Sequence, residues 1–227
     1  MRRKISIIGI SGLLILVLAT GSSWAVPFDL VGVNYPTLGA HVEFTYGSSI
    51  TSEGTVTVVI TNTSTVPTGE DPMLTGFLFN APASLSLSSS IAFIPGWTTD
   101  SVQNGFNTLG QYGLFDVAAL TGSDFNGGMP NSGIPISGSA EFSFTFTSIS
   151  QNMTLLSEAD FLGLLSAPEN GQTTPQYFIA RFQQVGPGGE GSDVAIPGTS
   201  SVPEPGTLLL LGVGLVGIAG IGRKKRV

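Results

Sequence analysis

Glu141-Phe142-Ser143-Phe144-Thr145-Phe146-Thr147 alternates strictly between phenylalanine and a polar residue. Successive side chains of a β-strand point to opposite faces, so the three phenylalanines would share one face and the polar side chains the other. A sheet with one buried face and one hydrated face is usually antiparallel. The stretch therefore predicts a half-buried antiparallel strand over residues 141–147.

The same period of two recurs along the central part of the chain. Residues 41–46 alternate, and residues 55–61 do so with β-branched side chains, which favour strands. Further candidate strands, separated by Gly-, Pro-, Asn- and Ser-rich turns, are 74–79, 91–94, 109–115 and 176–183. The pattern predicts an all-β fold, an antiparallel β-sandwich of jelly-roll or Ig-like type, with a roll or a partly open barrel as the alternative.

One short helix is predicted among the strands. Ser157 precedes the stretch 158–165, and Asp160 stands three residues after it, in a position similar to that of a capping box. Acidic side chains in a first helical turn also interact favourably with the helix dipole. Phe161 and the leucines that follow give the stretch an apolar face, so we expect it to form a lid over one end of the sandwich.

The chain contains no cysteine. It therefore has no disulfide, no thiolate nucleophile and no cysteine-based metal site. About 177 residues lie between 26 and 202, which is enough for one domain that buries roughly 70% of its unfolded surface. We expect a single β-domain over 26–185, stabilised by its hydrophobic core, and a flexible Gly-, Pro- and Ser-rich linker over 186–201.

Charge is distributed unevenly along the chain. The formal net charge of the whole chain is −7, but seven of the eight basic residues lie near its two termini. Between 26 and 202 Arg181 is the single basic residue against fourteen acidic ones, so this segment has a formal charge of −13. Phosphates need lysine and arginine to neutralise them, which excludes nucleic-acid binding. An acidic surface favours solubility, divalent cations and polymers bridged by them.

The first 25 residues have the three parts of a signal peptide. Met1-Arg2-Arg3-Lys4 is a basic start, residues 5–18 form an apolar core, and Ser23-Trp24-Ala25 places small residues where a signal peptidase reads them. We expect cleavage between Ala25 and Val26. The domain that follows would then leave the cytoplasm.

The last 26 residues combine three features in order. Val202-Pro203-Glu204-Pro205 precedes an apolar run over 207–222, and Arg223-Lys224-Lys225-Arg226 follows it. As a helix the run would rise roughly 24 Å, somewhat less than a typical hydrocarbon core. Local thinning of the bilayer or outward-reaching flanking residues would let it span. The basic block would stay in the cytoplasm, so the tail predicts a transmembrane helix with the domain outside.

This order of Pro-Glu-Pro, apolar span and basic cluster over 202–227 resembles the PEP-CTERM sorting signal, found on exported proteins of Gram-negative bacteria that make extracellular polysaccharide. The resemblance implies that an exosortase, a membrane-embedded cysteine-dependent transpeptidase, recognises Pro203, Glu204 and Pro205 and removes the span. It implies a precursor anchored in the inner membrane and a product at the cell surface or outside the cell. Residues 61–64 with 74–79, and 180–183 with 189–193, resemble segments of other exported proteins with this tail.

Residues that would support catalysis are scarce. His41 is the only histidine and lies on the polar side of a predicted strand, where we expect a solvated or hydrogen-bonded surface role. A Ser-His-Asp triad would have to use it, yet no Gly-x-Ser-x-Gly turn occurs between 26 and 202. We therefore predict that the protein is not an enzyme and needs no cofactor.

Two loops offer oxygen ligands for calcium. Asp124 and Asn126 alternate before a Gly-Gly turn, but Pro135 occupies the place where an EF-hand has its bidentate glutamate. Glu190 and Asp193 form the second oxygen cluster, in a Gly-rich loop. An Asx-turn and a solvated linker are the alternative explanations of these two clusters.

Trp97 and Tyr112, each in a Gly-containing loop region, are the candidate sugar contacts. They would have to expose their rings on one face of the domain to serve as aromatic platforms. Core or rim packing is the alternative role for both residues.

Two functions from different classes are consistent with the sequence. The first is a non-catalytic cell-surface or extracellular-matrix protein, sorted by its tail and associated with extracellular polysaccharide. The second is a carbohydrate-binding module that uses the two aromatic rings, with or without calcium. In both, the partners are signal peptidase, the exosortase and the inner membrane before processing.

Overall fold

Ten antiparallel strands dominate the computed structural model, which describes residues 25–65, 70–108, 111–169 and 174–198. A single turn of α-helix, α1 (Ala159–Leu162), and two 3-10 turns, Pro130–Ser132 and Met153–Leu155, accompany them. The strands are β1 (Val26–Gly32), β2 (Gly39–Ile50), β3 (Glu53–Asn62), β4 (Met73–Phe79), β5 (Ser86–Ala92), β6 (Thr98–Asn107), β7 (Leu114–Leu120), β8 (Ser139–Thr147), β9 (Phe178–Val185) and β10 (Gly191–Pro197).

All ten strands belong to one hydrogen-bonded sheet, in the order β5-β8-β3-β2-β1-β10-β9-β4-β7-β6. The sheet curls so that its first half faces its second half. Phe77 on β4 lies 4.9 Å from Phe142 on β8, between ring centroids. The two edge strands also approach each other, since the hydroxyl of Thr99 on β6 donates to that of Ser90 on β5 at 2.8 Å. The sheet is therefore nearly a closed barrel.

The prediction of an all-β antiparallel fold is confirmed, whereas a sandwich of two separate sheets is not. The two halves are joined because β1 pairs with β10, with Leu30 opposite Pro197 and Gly32 opposite Ala195. This continuous connection corresponds to the partly open barrel that the sequence left as the alternative. Whether the strands form two sheets or one depends on which strands pair with each other, and no local sequence pattern specifies a pairing such as that of β1 with β10.

The strand predictions succeeded where alternation was long. The stretches 41–46, 55–61, 74–79 and 141–147 lie inside β2, β3, β4 and β8. The stretch 176–183 overlaps β9, and 91–94 contributes only its first two residues to β5. In the stretch 109–115 only the last two residues are in β7, because Gly113 before it has a φ of +87°.

The prediction of a linker over 186–201 is wrong for its central part. Residues 191–197 form β10, which lies in the middle of the sheet between β1 and β9. Ala195 on this strand is fully buried. Small residues gave the segment the composition of a linker, but its backbone is hydrogen-bonded to the preceding strand β9 and to β1, which is distant in sequence. The β-domain therefore continues past residue 185 to the end of β10.

The predicted strand of alternating phenylalanines supplies the centre of the core. Phe142, Phe144 and Phe146 are all buried. The rings of Phe142 and Phe144 meet β4 across the barrel, and Phe77 on β4 also stacks on Phe178 with ring centroids 5.4 Å apart. Both faces of β4 are buried, because Leu78 points the other way into a second, smaller apolar cluster outside the barrel.

The predicted helix is shorter than 158–165. It ends at Leu162, and Gly163 follows. The backbone amide and the hydroxyl of Ser157 both donate to Asp160 Oδ2, at 2.8 and 2.9 Å, so the reciprocal half of the capping box is present. Phe161 packs against the rings of Phe44, Tyr46 and Phe146 and closes one end of the barrel, as expected of a lid.

Several features meet at this end of the barrel, which we call the α1 end. Val26 pairs with Phe44, so β1 begins there. β10 runs toward the same end, since its last residue Pro197 pairs with Leu30 and the amide of Gly198 donates to the carbonyl of Asp29. The β2–β3 turn also projects from it. The described chain therefore enters the domain near the α1 end, and its last strand is directed toward that end.

Replacing Phe77 with alanine should destabilise the domain by about 3–5 kcal/mol, because it empties the point where the two halves of the barrel meet. Urea denaturation of the purified protein measures the effect. Phe93→Ala is the matched control, since that ring is exposed and its loss should change the unfolding free energy by less than about 0.5 kcal/mol. Equal costs for the two variants would contradict the packing described above.

Candidate functional site

Arg181, on β9, lies in a polar cavity of about 470 Å³ on the outside of the barrel. It is the only arginine or lysine in the part of the chain that the structure describes. Its Nη1 donates to Asn126 Oδ1 at 3.3 Å and its Nη2 to Ser192 Oγ at 3.0 Å. Other polar residues that line the cavity are Asn34, Thr108, Gln111 and Asp193.

The environment of this guanidinium is unusual for a charged group. Burial lowers the pKa of Arg181, while the negative charge of Asp124 acts in the opposite direction. Its Nε is buried and has no hydrogen-bond partner among the described residues. Both of these acceptors are neutral. Through these two hydrogen bonds Arg181 links β9 to β10 and to the loop after β7. The sequence identified Arg181 only as the single basic residue between 26 and 202, and it did not predict that the side chain would be partly buried in this cavity.

Asp193, on β10, is a buried carboxylate with a complete set of donors. Its Oδ2 accepts from the backbone amides of Asn34 and Tyr35, each at 2.9 Å, and its Oδ1 accepts from Asn34 Nδ2 at 2.8 Å. Hydrogen bonds to an ionised acceptor are stronger than those between neutral groups. Asp193 therefore fixes the turn after β1 onto the centre of the sheet.

The calcium predictions do not converge on a cation site. Asp124 Oδ1 accepts from the amides of Asn126 and Gly127, at 2.8 and 2.6 Å, which is the Asx-turn left as the alternative. Asn126 faces Arg181, whose charge opposes a cation. Asp193 is occupied by amides, and Glu190 is exposed in the turn before β10. No group of three acidic or histidine side chains fit for a metal occurs in 25–65, 70–108, 111–169 or 174–198.

The sugar-contact predictions are wrong for both aromatic residues. Trp97 and Tyr112 are only 8% and 7% exposed. Trp97 packs on Phe142, and its indole N–H donates to the carbonyl of Ser132 at 2.8 Å. Tyr112 belongs to the smaller apolar cluster outside the barrel, and burial raises the pKa of its phenol. Neither ring can stack on a sugar without unfolding its surroundings.

His41 has the surface role that the sequence predicted. It lies on β2, and its Nδ1 is 2.7 Å from Oδ1 of Asp29 on the neighbouring strand. The next residue across the sheet is Thr61, whose hydroxyl donates to Ser139 Oγ at 3.0 Å. This row of polar side chains stands on the outer face of the sheet. It forms a cross-strand ladder of the kind that stabilises sheets.

The terminal predictions lie largely outside the described residues. These are the apolar core over 5–18, Val202 with Pro203, Glu204 and Pro205, the run 207–222, and the basic block Arg223 to Arg226. Val26, at the predicted signal cleavage, is the first residue of β1. Among the residues that the structure does describe, none of the helices has the length and apolarity needed to cross a bilayer.

Comparison with protein families finds the PEP-CTERM protein-sorting motif at residues 201–226. The match includes the Pro-Glu-Pro sequence, the apolar run and the basic block, so the resemblance noted in the sequence is confirmed for this tail. Comparison with curated proteins finds no match to the chain.

Replacing Asp193 with alanine should cost about 2–4 kcal/mol of unfolding free energy, because the amides of Asn34 and Tyr35 lose the buried carboxylate that accepts from both. Asp124→Ala is the matched control, since it also removes a carboxylate that accepts from two amides, but at an exposed position. We expect its cost to stay below about 1 kcal/mol. Urea denaturation of both variants measures the difference, and a smaller loss for Asp193→Ala than for Asp124→Ala would refute the structural role of Asp193.

Proposed function

We propose that this protein is an exported, non-catalytic cell-surface or extracellular-matrix protein that is processed through its tail and associates with extracellular polysaccharide. The observation that carries the proposal is the PEP-CTERM motif at 201–226, which indicates an exported, membrane-anchored precursor sorted by an exosortase. We include in the proposal a signal peptide over residues 1–25 and a transmembrane helix over 207–222.

The physical properties of the tail support this processing. Pro203 and Pro205 disfavour a helix around Glu204, so a protease at the membrane surface would meet extended backbone there. The apolar run that follows holds the precursor in the bilayer, and the basic block prevents it from passing through. Cleavage near Glu204 would then free the domain from its anchor.

The surface of the domain supports an association with a matrix. Nine of the fourteen acidic residues between 26 and 202 are exposed, whereas Arg181 is partly buried. On the outer face, Glu43 and Glu141 both stand opposite Val59, one on each side, which places them about 10 Å apart. Each of these exposed carboxylates can be bridged by a divalent cation to an acidic polymer.

The non-catalytic part of the proposal is supported by the surroundings of the titratable groups. His41 stands with Asp29 on the outer face of the sheet, where water competes for every hydrogen bond. The most buried carboxylate, Asp193, is fixed by three donors and holds a turn in place. Roles of this kind stabilise a fold and require no substrate.

The sorting role is tested by replacing Pro203, Glu204 and Pro205 with alanine in the native host. The wild type should lose the span 207–222 and appear outside the cell, because the exosortase recognises Pro-Glu-Pro. The triple variant should remain full-length in the inner membrane. Intact mass and cell fractionation measure both outcomes.

Thr199→Ala/Ser200→Ala is the control for this experiment, since it changes two neighbouring residues just outside the motif. It should be processed like the wild type. If the wild type stays full-length and membrane-bound, the tail is only an anchor and the proposed processing fails.

The matrix role is tested by treating intact cells with a chelator of divalent cations. Processed protein should be released from the extracellular polysaccharide, because acidic surface and acidic polymer repel each other without a bridging cation. Monovalent salt of equal ionic strength is the control and should release much less, since it screens charges without removing the bridge. Retention that persists in chelator would contradict cation bridging, as measured by the protein found in the supernatant.

A further inference from the structure

We propose that Ile50, Ile149 and Leu155 form an apolar tip that rests on the lipid bilayer while the precursor is still anchored. The inference rests on the membrane-anchored precursor described above and adds a second point of contact between the domain and the membrane. The occupant of the tip is the surface of the bilayer that holds the chain's own C-terminal run.

The three side chains project unusually far into water. Ile149 is 108% exposed, Leu155 79% and Ile50 52%. Ile50 and Ile149 each have polar neighbours, in Ser49-Ile50-Thr51 and Ser148-Ile149-Ser150, and Leu155 ends a 3-10 turn. Apolar side chains that project from turns contribute nothing to the core. When several of them lie on one surface, they indicate an interaction site.

The tip is one structural unit, because its two loops are hydrogen-bonded to each other. The amide of Ser148 donates to the carbonyl of Ser52 at 3.1 Å, and the amide of Met153 donates to the carbonyl of Thr51 at 2.9 Å. Beneath them, the buried Tyr46 hydroxyl donates to the carbonyl of Met153 at 2.8 Å. The loops are therefore held together and fixed to the barrel.

The tip lies at the α1 end, toward which the last described strand is directed. β2 runs from His41, which pairs with Asp29, to Ile50 in the tip. The amide of Gly198 donates to the same Asp29, so β10 exits at the level of His41 and points toward the tip. At its last described residue the chain is therefore directed toward the tip side of the domain.

The length of the connecting chain places the tip at the bilayer surface. Ile50 is nine residues beyond His41, which corresponds to about 30 Å along a strand. The apolar run begins at Thr207, nine residues beyond Gly198, and fully extended chain of this length reaches at most about 32 Å. Even at full extension, the connection is thus about as long as the projection of the tip. A domain tethered in this way brings its tip into contact with the headgroup region.

The chemistry of the tip favours a bilayer with no net surface charge. No lysine or arginine lies near it, since Arg181 is the only described cation and sits in the outer cavity. Glu53, opposite Ile50 in the turn, would be repelled by anionic lipid. Three apolar side chains give weak binding by themselves, but a short tether raises their effective concentration at the membrane to the millimolar range.

The absence of cysteine from the chain makes a direct test available. Ser52→Cys introduces a single thiol within the tip and Thr37→Cys one in a turn at the opposite end, and both replace exposed hydroxyl residues. Each full-length protein carries an environment-sensitive fluorophore on that thiol and is reconstituted into phosphatidylcholine vesicles. Flotation measures anchoring, and quenching by a lipid-borne quencher at shallow depth measures contact.

We expect several-fold greater quenching and a blue-shifted emission for the label at residue 52, while both proteins float with the vesicles. Ile50→Ser/Ile149→Ser/Leu155→Ser in the Ser52→Cys background should abolish this difference and leave flotation unchanged. Equal quenching of the labels at residues 52 and 37 in protein that floats would overturn the proposed contact between the tip and the bilayer. A blue shift that depends on protein concentration and occurs without lipid quenching would also overturn this contact. It would show that the tip binds a second copy of the chain. Protein that does not float overturns the anchoring itself, so that this failure is recognised separately.

Discussion

The contact between the phenylalanines of β8 and those of β4 is the interaction on which this domain depends. The chain has no disulfide, and the two halves of its single sheet are held face to face by ring packing, with Phe77 and Phe142 4.9 Å apart between centroids. Large aromatic side chains bury the most apolar area per residue and add a preference for edge-to-face geometry. The curl of the sheet, and hence the near closure of its edges, follows from this contact.

In the curled barrel, the position of β10 affects the charge of the outer surface. Its buried Asp193 fixes the turn after β1, and the adjacent Ser192 accepts from Arg181. Arg181, the only arginine or lysine among the described residues, therefore donates its hydrogen bonds within the domain. The outer surface that remains is acidic, which is consistent with a secreted protein that stays soluble and meets polymers through divalent cations.

The same topology explains why one end of the molecule differs from the other. β1 begins near the α1 end and β10 runs toward it, because the two strands are antiparallel neighbours. Ile149 and Leu155 project from this end. The fold thus points its last described strand toward the side of the domain that carries the exposed apolar loops.

The strand type and the sorting tail could both be predicted from local sequence. Phe142, Phe144 and Phe146 predicted a half-buried strand because side-chain alternation is a local property, and the motif at 201–226 is likewise contiguous. The central place of β10 in the sheet, the burial of Trp97 and the role of Asp193 as an acceptor depend on tertiary contacts. The physical reason is distance along the chain: Asp193 bonds to Asn34, 159 residues away, and no local pattern specifies such a partner.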